Sequence, residues 1–565
     1  MGVTLRPDFT FFKMDNLTQK DNFILTFENS VKDCWNKAAL DDFKVSSITY
    51  GELAKEIETN VLFWKAAGLK PGDKIAINAK SCANWAKIFF SNQAGGFVSV
   101  QIFPGFTATD TENLVNHSES RLLYTEKGIF DNMDFGHMPQ LLGAVDIMTG
   151  ELLAARNGFD SLYNGKEKSF SEKHPNGLCP EDIDYSGTSI DSLSSIMYTS
   201  GSTGNPKGVM LTNRNLSANV YSVPMHVPFR RGENIVSVLP FAHIFGMTVD
   251  MVTPLCLGMH LVVLGLPPIP TYLKPALREF RPHVFFSVPL ILSKLIEDTI
   301  GDFIHSKNGT AKLEDYQNNP DFCEALEIIF LKALGGEIEM FCTGGAAIPE
   351  QFEKLFVTKL GLPFVTGYGM TETAPVISIG HLGTYKLREC GEYLDEVVDV
   401  KIDSPDPEHI PGEILVKGEI VFSGYYKNED ATKAAFTADG WFHTGDLATM
   451  DKDHSLFIVG RCKSMILTSN GQNIYPEEIE VVLNALPGVA ESLVVNRGER
   501  LVALIVPDQN QLGDIDSAGL KNLMDANLEV LNKRIPAYSH VSGYELRFDA
   551  FAKTPKGSIR RFMYE

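Results

Sequence analysis

Between about residue 70 and residue 450 the chain alternates short β-rich runs with longer helical patterns, and this alternation constrains the fold more than any other feature. The runs are DKIAINA, GFVSVQIF, SSIMYTS, NIVSVLP, HLVVLG, HVFFSV, IEMFCTGG and PFVTGYG. Strands and helices in that order predict βαβ units, hence an α/β fold whose large N-terminal domain is built of mainly parallel sheets covered by helices. After Arg461 the pattern becomes that of a small α+β unit. A helix is predicted to start at Pro476, in its favoured first-turn position with two glutamates behind it, and SLVVN and LVALIV read as strands. We therefore divide the chain into residues 1–462 and 463–565. Segment 301–325 is polar and reads as an exposed insertion. The most apolar stretch, 244–265, is interrupted by Asp250, Pro254 and His260, so it reads as a buried helix followed by a buried strand, not as a membrane span.

With 565 residues, 44% hydrophobic and 21% charged, the chain can bury a sizeable core in two or more units, which argues against a lone binding module or a disordered protein. Its 50 basic and 71 acidic residues give a net charge of −21, which opposes non-specific attraction to nucleic acid or an anionic membrane. Any phosphate it binds must then be held locally, by backbone N–H groups and a few placed cations. The 8 cysteines show no CxxC spacing, the pattern of a reduced compartment without a structural zinc site. The N-terminus lacks an apolar run of signal-peptide length, and a cytoplasmic location is expected.

The strongest local signal is Tyr198-Thr-Ser-Gly-Ser-Thr-Gly-Asn-Pro-Lys-Gly208. Gly201, Gly204 and Gly208 let backbone N–H groups approach an anion, Thr199, Ser200, Ser202 and Thr203 add donors, and Lys207 supplies a point charge. This is a polyphosphate cradle, where a generic Gly/Ser loop would be a flexible hairpin. It is not a Walker A loop, because no Ser or Thr follows Lys207 to hold Mg²⁺. A metal would need a carboxylate elsewhere, and Thr366-Gly-Tyr-Gly-Met-Thr-Glu-Thr373 offers Glu372, with Thr371 as a phosphate donor and Tyr368 presenting its face to a base. That motif follows PFV, at the carboxyl end where open α/β sheets place ligands.

These two motifs resemble those of the adenylate-forming superfamily, which includes acyl-CoA synthetases, beetle luciferases and the adenylation domains of peptide synthetases. Further matches run along most of the chain: GLKPGDKIAI (68–77), LPFAHIFG (239–246), CTGGAAIP (342–349), DGWFHTGDLA (439–448), GRCKSMIL (460–467), NGQNIYPEEIE (470–480) and KTPKGSIRR (553–561). The layout is most similar to that of long-chain fatty acyl-CoA synthetases. The resemblance implies that Asp446 accepts the ribose hydroxyls, that Arg461 contacts ribose or phosphate, that Gly344, Gly345 and Ala346 line the adenine and acyl pocket, and that His243 sits near the carboxylate. It also implies that Lys463 is the hinge about which a mobile C-terminal domain rotates.

The implied reaction uses ATP, Mg²⁺ and coenzyme A. A fatty acid carboxylate attacks the α-phosphate, pyrophosphate leaves, and a thiol then displaces AMP from the acyl-adenylate. The family's terminal motif, TPxGK, places a lysine where this chain has Ser558. Lys556 and Arg560 stand two residues to either side, and on an extended strand all three would share a face, which makes Lys556 the expected substitute. Two rival readings follow: an acyl-AMP ligase that loads an acyl carrier protein, and a catalytically silent nucleotide-binding regulator.

Overall fold

All eight apolar runs are strands in the computed structural model, which describes residues 21–199, 206–304, 319–346, 348, 350–467, 473–498, 500–513, 515–554 and 559–564. The α/β class holds, and the sheets are mixed. The largest has eight strands in the order Gly424–Tyr425, Lys207–Thr212, Leu193–Thr199, Val98–Gln101, Lys74–Asn78, Ser120–Thr125, Gly143–Asp146, Leu152–Ala155. Its centre is parallel and its edges are antiparallel. A five-stranded sheet begins with three parallel strands, Val284–Ser287, Met340–Thr343 and Phe364–Gly369, before turning antiparallel through Val376–Ile379 and Glu392–Tyr393. A four-stranded sheet carries Asn234–Ser237 and His260–Val263. A further sheet, Val398–Asp403, Gly412–Gly418, Phe442–Met450 and Leu456–Arg461, is wholly antiparallel.

The parallel strands are buried on both faces, which is why they read as continuous apolar runs. Phe285 and Phe341 are register partners that face one hydrophobic cluster, under Leu273, Leu277, Leu292 and Phe330. Their neighbours Phe286 and Cys342 face the other cluster, which also holds Trp64, Trp85 and the stacked pair Phe27 and Phe90. Stretch 244–265 forms a buried helical run, Ile244–Met247, Thr248–Val252 and Thr253–Cys256, then the buried strand His260–Val263. No helix among the described residues is long and apolar enough to cross a membrane.

The insertion expected over 301–325 needs correction. Helix Pro289–Ile304 runs into it, and helix Pro320–Ala333 begins inside it, capped by Asn319, whose side chain accepts from the Phe322 N–H at 3.3 Å. Leu326 and Phe330, four residues apart, bury one face of the second helix. Residues 305–318 lie outside the described residues.

The C-terminal unit has its own sheet, Val489–Asn496, Leu501–Pro507 and Gly543–Leu546, and its own core around Leu483, Val494, Ala503, Met524 and Leu531. Helix Pro476–Asn484 starts with Pro476 in its first turn, as expected. The Arg388 Nη2 to Glu478 Oε1 ion pair, at 2.8 Å, ties this helix to the larger domain.

Candidate functional site

The cradle motif is a β-hairpin whose arms, Leu193–Thr199 and Lys207–Thr212, pair Thr199 with Lys207 and Tyr198 with Gly208. Ser200, Gly201, Ser202, Thr203 and Gly204 lie outside the described residues. A side chain at Gly208 would put its Cβ 2.9 Å from Ile196 Cγ2 and 3.3 Å from Tyr426 Cβ, so glycine is needed where the strand Gly424–Tyr425 docks. Docking places the Tyr425 ring under Lys207, whose Nζ lies 4.6 Å from the ring centroid.

Strand Phe364–Gly369 leads into the short turn Thr371–Thr373, which carries Thr371 and Glu372, both buried. Gly369 makes the bend possible: a Cβ there would fall 1.8 Å from the Pro375 carbonyl oxygen. Glu372 Oε1 accepts from the Tyr425 hydroxyl at 3.0 Å, and the Glu372 carbonyl accepts from the Phe422 N–H at 2.9 Å. Burial pushes the Tyr425 phenol up, which keeps it a neutral donor. No group of three metal-ligating side chains occurs among the described residues. A single placed carboxylate nevertheless fits Mg²⁺, which is held by one or two carboxylates together with substrate phosphates and water.

Tyr368, from the same strand, donates its hydroxyl to Asp446 Oδ2 at 2.7 Å. Asp446 and Arg461 are register partners on adjacent antiparallel strands, and Arg461 Nε lies 2.8 Å from Asp446 Oδ1. Burial raises the Asp446 carboxyl, while the Arg461 guanidinium and the Tyr368 hydroxyl hold it back. Asp446 is buried and Arg461 exposed, so the carboxylate is fixed and the guanidinium can leave it. One carboxylate thus accepts from a tyrosine and an arginine, and its remaining lone pairs can accept two further hydroxyls.

Beside Tyr368 a cleft brings together His243, Gly344, Gly345 and Tyr368 with the apolar side chains Ile244, Phe245, Val249, Phe286, Val376 and Ile379. His243 caps the helix Ile244–Met247, its Nδ1 accepting from the Phe245 N–H at 3.4 Å. Ser81 Oγ accepts from the Phe241 N–H and donates to the Leu239 carbonyl, holding the turn that presents His243. Gly344 approaches the opposite strand, where a Cβ would sit 3.2 Å from the Gly367 carbonyl oxygen. Ala346 is exposed and is not part of the cleft lining.

Lys463 occupies an exposed turn directly after strand Leu456–Arg461, in which the Ser464 and Met465 N–H groups both donate to the Arg461 carbonyl at 3.1 Å. Lys556 and Ser558 lie outside the described residues. Of the residues beside them, Lys553 and Ile559 are antiparallel bridge partners, and the Arg560 N–H donates to the Ala552 carbonyl at 2.8 Å.

Sequence reasoning missed Tyr425, which touches both Lys207 and Glu372. No local pattern marks it, because its role comes from strand docking between distant segments.

A family model described as AMP-binding enzyme matches residues 27–426, and one described as AMP-binding enzyme C-terminal domain matches residues 463–565. The chain is 28% identical over 529 residues to the long-chain-fatty-acid–CoA ligase FadD15 of Mycobacterium bovis, covering 89% of this chain and 84% of that one. It is 28% identical over 534 residues to a feruloyl-CoA synthase of Amycolatopsis sp., covering 91% and 94%. Its fold matches the crystal structure of ATP-bound MatB from Rhodopseudomonas palustris with a TM-score of 0.75 at 22% identity, over 96% of this chain and 97% of that one. With the hairpin, the Glu372 turn and the Tyr368–Asp446–Arg461 array contributed by three different sheets, and with a family model matched over residues 27–426, the chain belongs to the family of AMP-binding enzymes.

Proposed function

We propose that this chain, an AMP-forming acid–CoA ligase, activates a medium- or long-chain fatty acid. The observation that carries the reading is the cleft: hydrocarbon and ring walls from Ile244, Phe245, Val249, Phe286, Val376 and Ile379, with no Asp, Glu, Lys or Arg among the described residues that line it. An acid with a second charge, such as a sulfonate, would bury that charge unpaired, whereas an alkyl chain gains by leaving water.

A free carboxylate is a poor electrophile, so activation must precede attack by a thiol. The Tyr198–Gly208 cradle with Lys207 would hold the phosphates, the Tyr368 face and the Gly344–Gly345 turn the adenine, and Asp446 with Arg461 the ribose. Bound at Glu372, Mg²⁺ would neutralise charge on the phosphate oxygens. The reacting carboxylate arrives ionised and needs no base; positioning and charge neutralisation carry the first step, in which the α-phosphate is attacked and pyrophosphate leaves. Coenzyme A then displaces AMP. Between the two steps the domain beginning at Lys463 would rotate, exchanging the groups that face the α-phosphate for those that admit the thiol.

The test is a panel of acids, from acetate through long-chain fatty acids and including ferulate and sulfoacetate, assayed for AMP formation with ATP, Mg²⁺ and CoA. Highest kcat/KM with medium- or long-chain acids is expected. A preference for ferulate or sulfoacetate would overturn the substrate assignment, and AMP release only with an acyl carrier protein would overturn CoA as the acceptor.

A further inference from the structure

Tyr425 contacts both Lys207 and Glu372, the two residues to which the proposed function gives the phosphates and the metal. Its hydroxyl donates to Glu372 Oε1 at 3.0 Å, and its ring lies beneath Lys207 Nζ, 4.6 Å from the centroid. The backbone enforces both contacts. Gly424 pairs with Met210 and Tyr425 with Val209, so the tyrosine enters the sheet two residues beyond Lys207. On the other side the Phe422 N–H donates to the Glu372 carbonyl at 2.9 Å. The ring has little freedom to swing: it is 8% exposed and packs edge-on against Phe422, 4.9 Å between centroids. A buried phenol held this way gives a carboxylate one fixed donor and an ammonium one fixed π face, and it leaves both charges intact for other partners.

We propose that Tyr425 is a positioning residue for MgATP, acting through Glu372 and Lys207 to fix the carboxylate and the ammonium relative to each other. The inference rests on the functional reading above and assigns a residue that no motif singled out. It separates two contributions. The hydroxyl orients Glu372, and so bears on the metal. The ring supports Lys207, and so bears on the phosphates with or without metal.

Calorimetric titration of the full-length chain with ATP, with and without Mg²⁺, tests the separation independently of turnover. Tyr425→Phe keeps the ring and removes the donor. It is expected to leave metal-free ATP affinity unchanged and to reduce the Mg²⁺-dependent gain in affinity by about tenfold, the scale of one hydrogen bond to a charged group. Tyr425→Leu should also weaken metal-free binding. In steady-state assays both variants should keep the wild-type KM for the acid, which a merely structural defect would not spare. In the Glu372→Gln background, Tyr425→Phe should cost nothing further. Wild-type Mg²⁺ dependence in Tyr425→Phe overturns the proposal, and so does a parallel change in ATP and acid KM. Should Tyr425→Leu not fold, the near-isosteric Tyr425→Phe still decides. Failure of the wild-type chain to bind MgATP would overturn the functional reading and this inference together, whereas wild-type binding with an unaltered Tyr425→Phe overturns this inference alone.

Discussion

The Tyr368 hydroxyl donates to Asp446 Oδ2 at 2.7 Å, joining the five-stranded sheet to the antiparallel sheet at the point where Arg461 meets Asp446 Oδ1. The carboxylate is therefore oriented before any ligand arrives. Asp446→Asn keeps its shape but removes the charge that Arg461 pairs with and replaces one acceptor by an N–H. We expect KM for ATP to rise by about tenfold to a hundredfold while KM for the acid stays near the wild-type value. Steady-state kinetics with each substrate varied in turn checks this, and equal rises in both KM values would contradict it.

Asp250 gives a prediction about stability and pH. It is fully buried on the helical turn Thr248–Val252, where its Oδ2 accepts from the Ser237 hydroxyl at 2.6 Å and the Leu239 N–H at 3.4 Å, while Oδ1 has no hydrogen-bond partner among the described residues. Burial raises its carboxyl from 3.8 to about 7. Between those values the folded chain keeps a proton that the unfolded chain releases, so stability from this group falls as pH rises through the window and is flat above it. Asp250→Asn carries no such penalty. Its melting temperature relative to wild type should rise from pH 5 to pH 8, by an amount corresponding to a few kcal/mol. A difference independent of pH would show that the group does not titrate there.

The central strands were legible because burial on both faces writes them as unbroken apolar runs. The antiparallel sheet of residues 398–461 carries a different signal, the period-2 alternation of a half-buried strand, as Val398, Val400 and Ile402 alternate with Asp399, Lys401 and Asp403, and a reading for continuous apolar runs passes over it. Helix Pro320–Ala333 was hidden by the polar residues of its exposed face, which merge with the polar segment before it. Asp446 and Arg461 were found through their motifs, but the contact between them is a consequence of hairpin register. Tyr425 was beyond reach, because Glu372 lies 53 residues away and only the docking of strand Gly424–Tyr425 brings them together.

Lys463 tests domain alternation. The Ser464 and Met465 N–H groups donate to the Arg461 carbonyl, and Lys463→Pro leaves these two donors in place while fixing φ near −65°. If the C-terminal domain turns about this residue between half-reactions, acyl-adenylate formation should persist and thioester formation should fall by about a hundredfold or more. Single-turnover measurement of each half-reaction decides it, and equal loss in both would argue against rotation at Lys463.

Phe286 sets up the most direct test of the acyl cleft. It lies at the cleft wall, 1% exposed, with Phe245 edge-on at 6.1 Å and Phe229 at 5.7 Å between ring centroids. It comes from the second-last position of a parallel strand, where its neighbour Phe285 is turned to the other core. Shortening Phe286 therefore enlarges the cleft without touching Tyr368, Asp446 or Glu372. Leucine is the better choice, since alanine in this core would cost about 3–5 kcal/mol of stability. In Phe286→Leu, the preferred acid should lengthen. Each methylene newly accommodated contributes about 0.8 kcal/mol, roughly fourfold in kcat/KM, so two should shift the ratio of a longer to a shorter acid by about fifteenfold. KM for ATP should not move. A variant whose chain-length profile matches wild type would place the acyl chain elsewhere, whatever its overall rate.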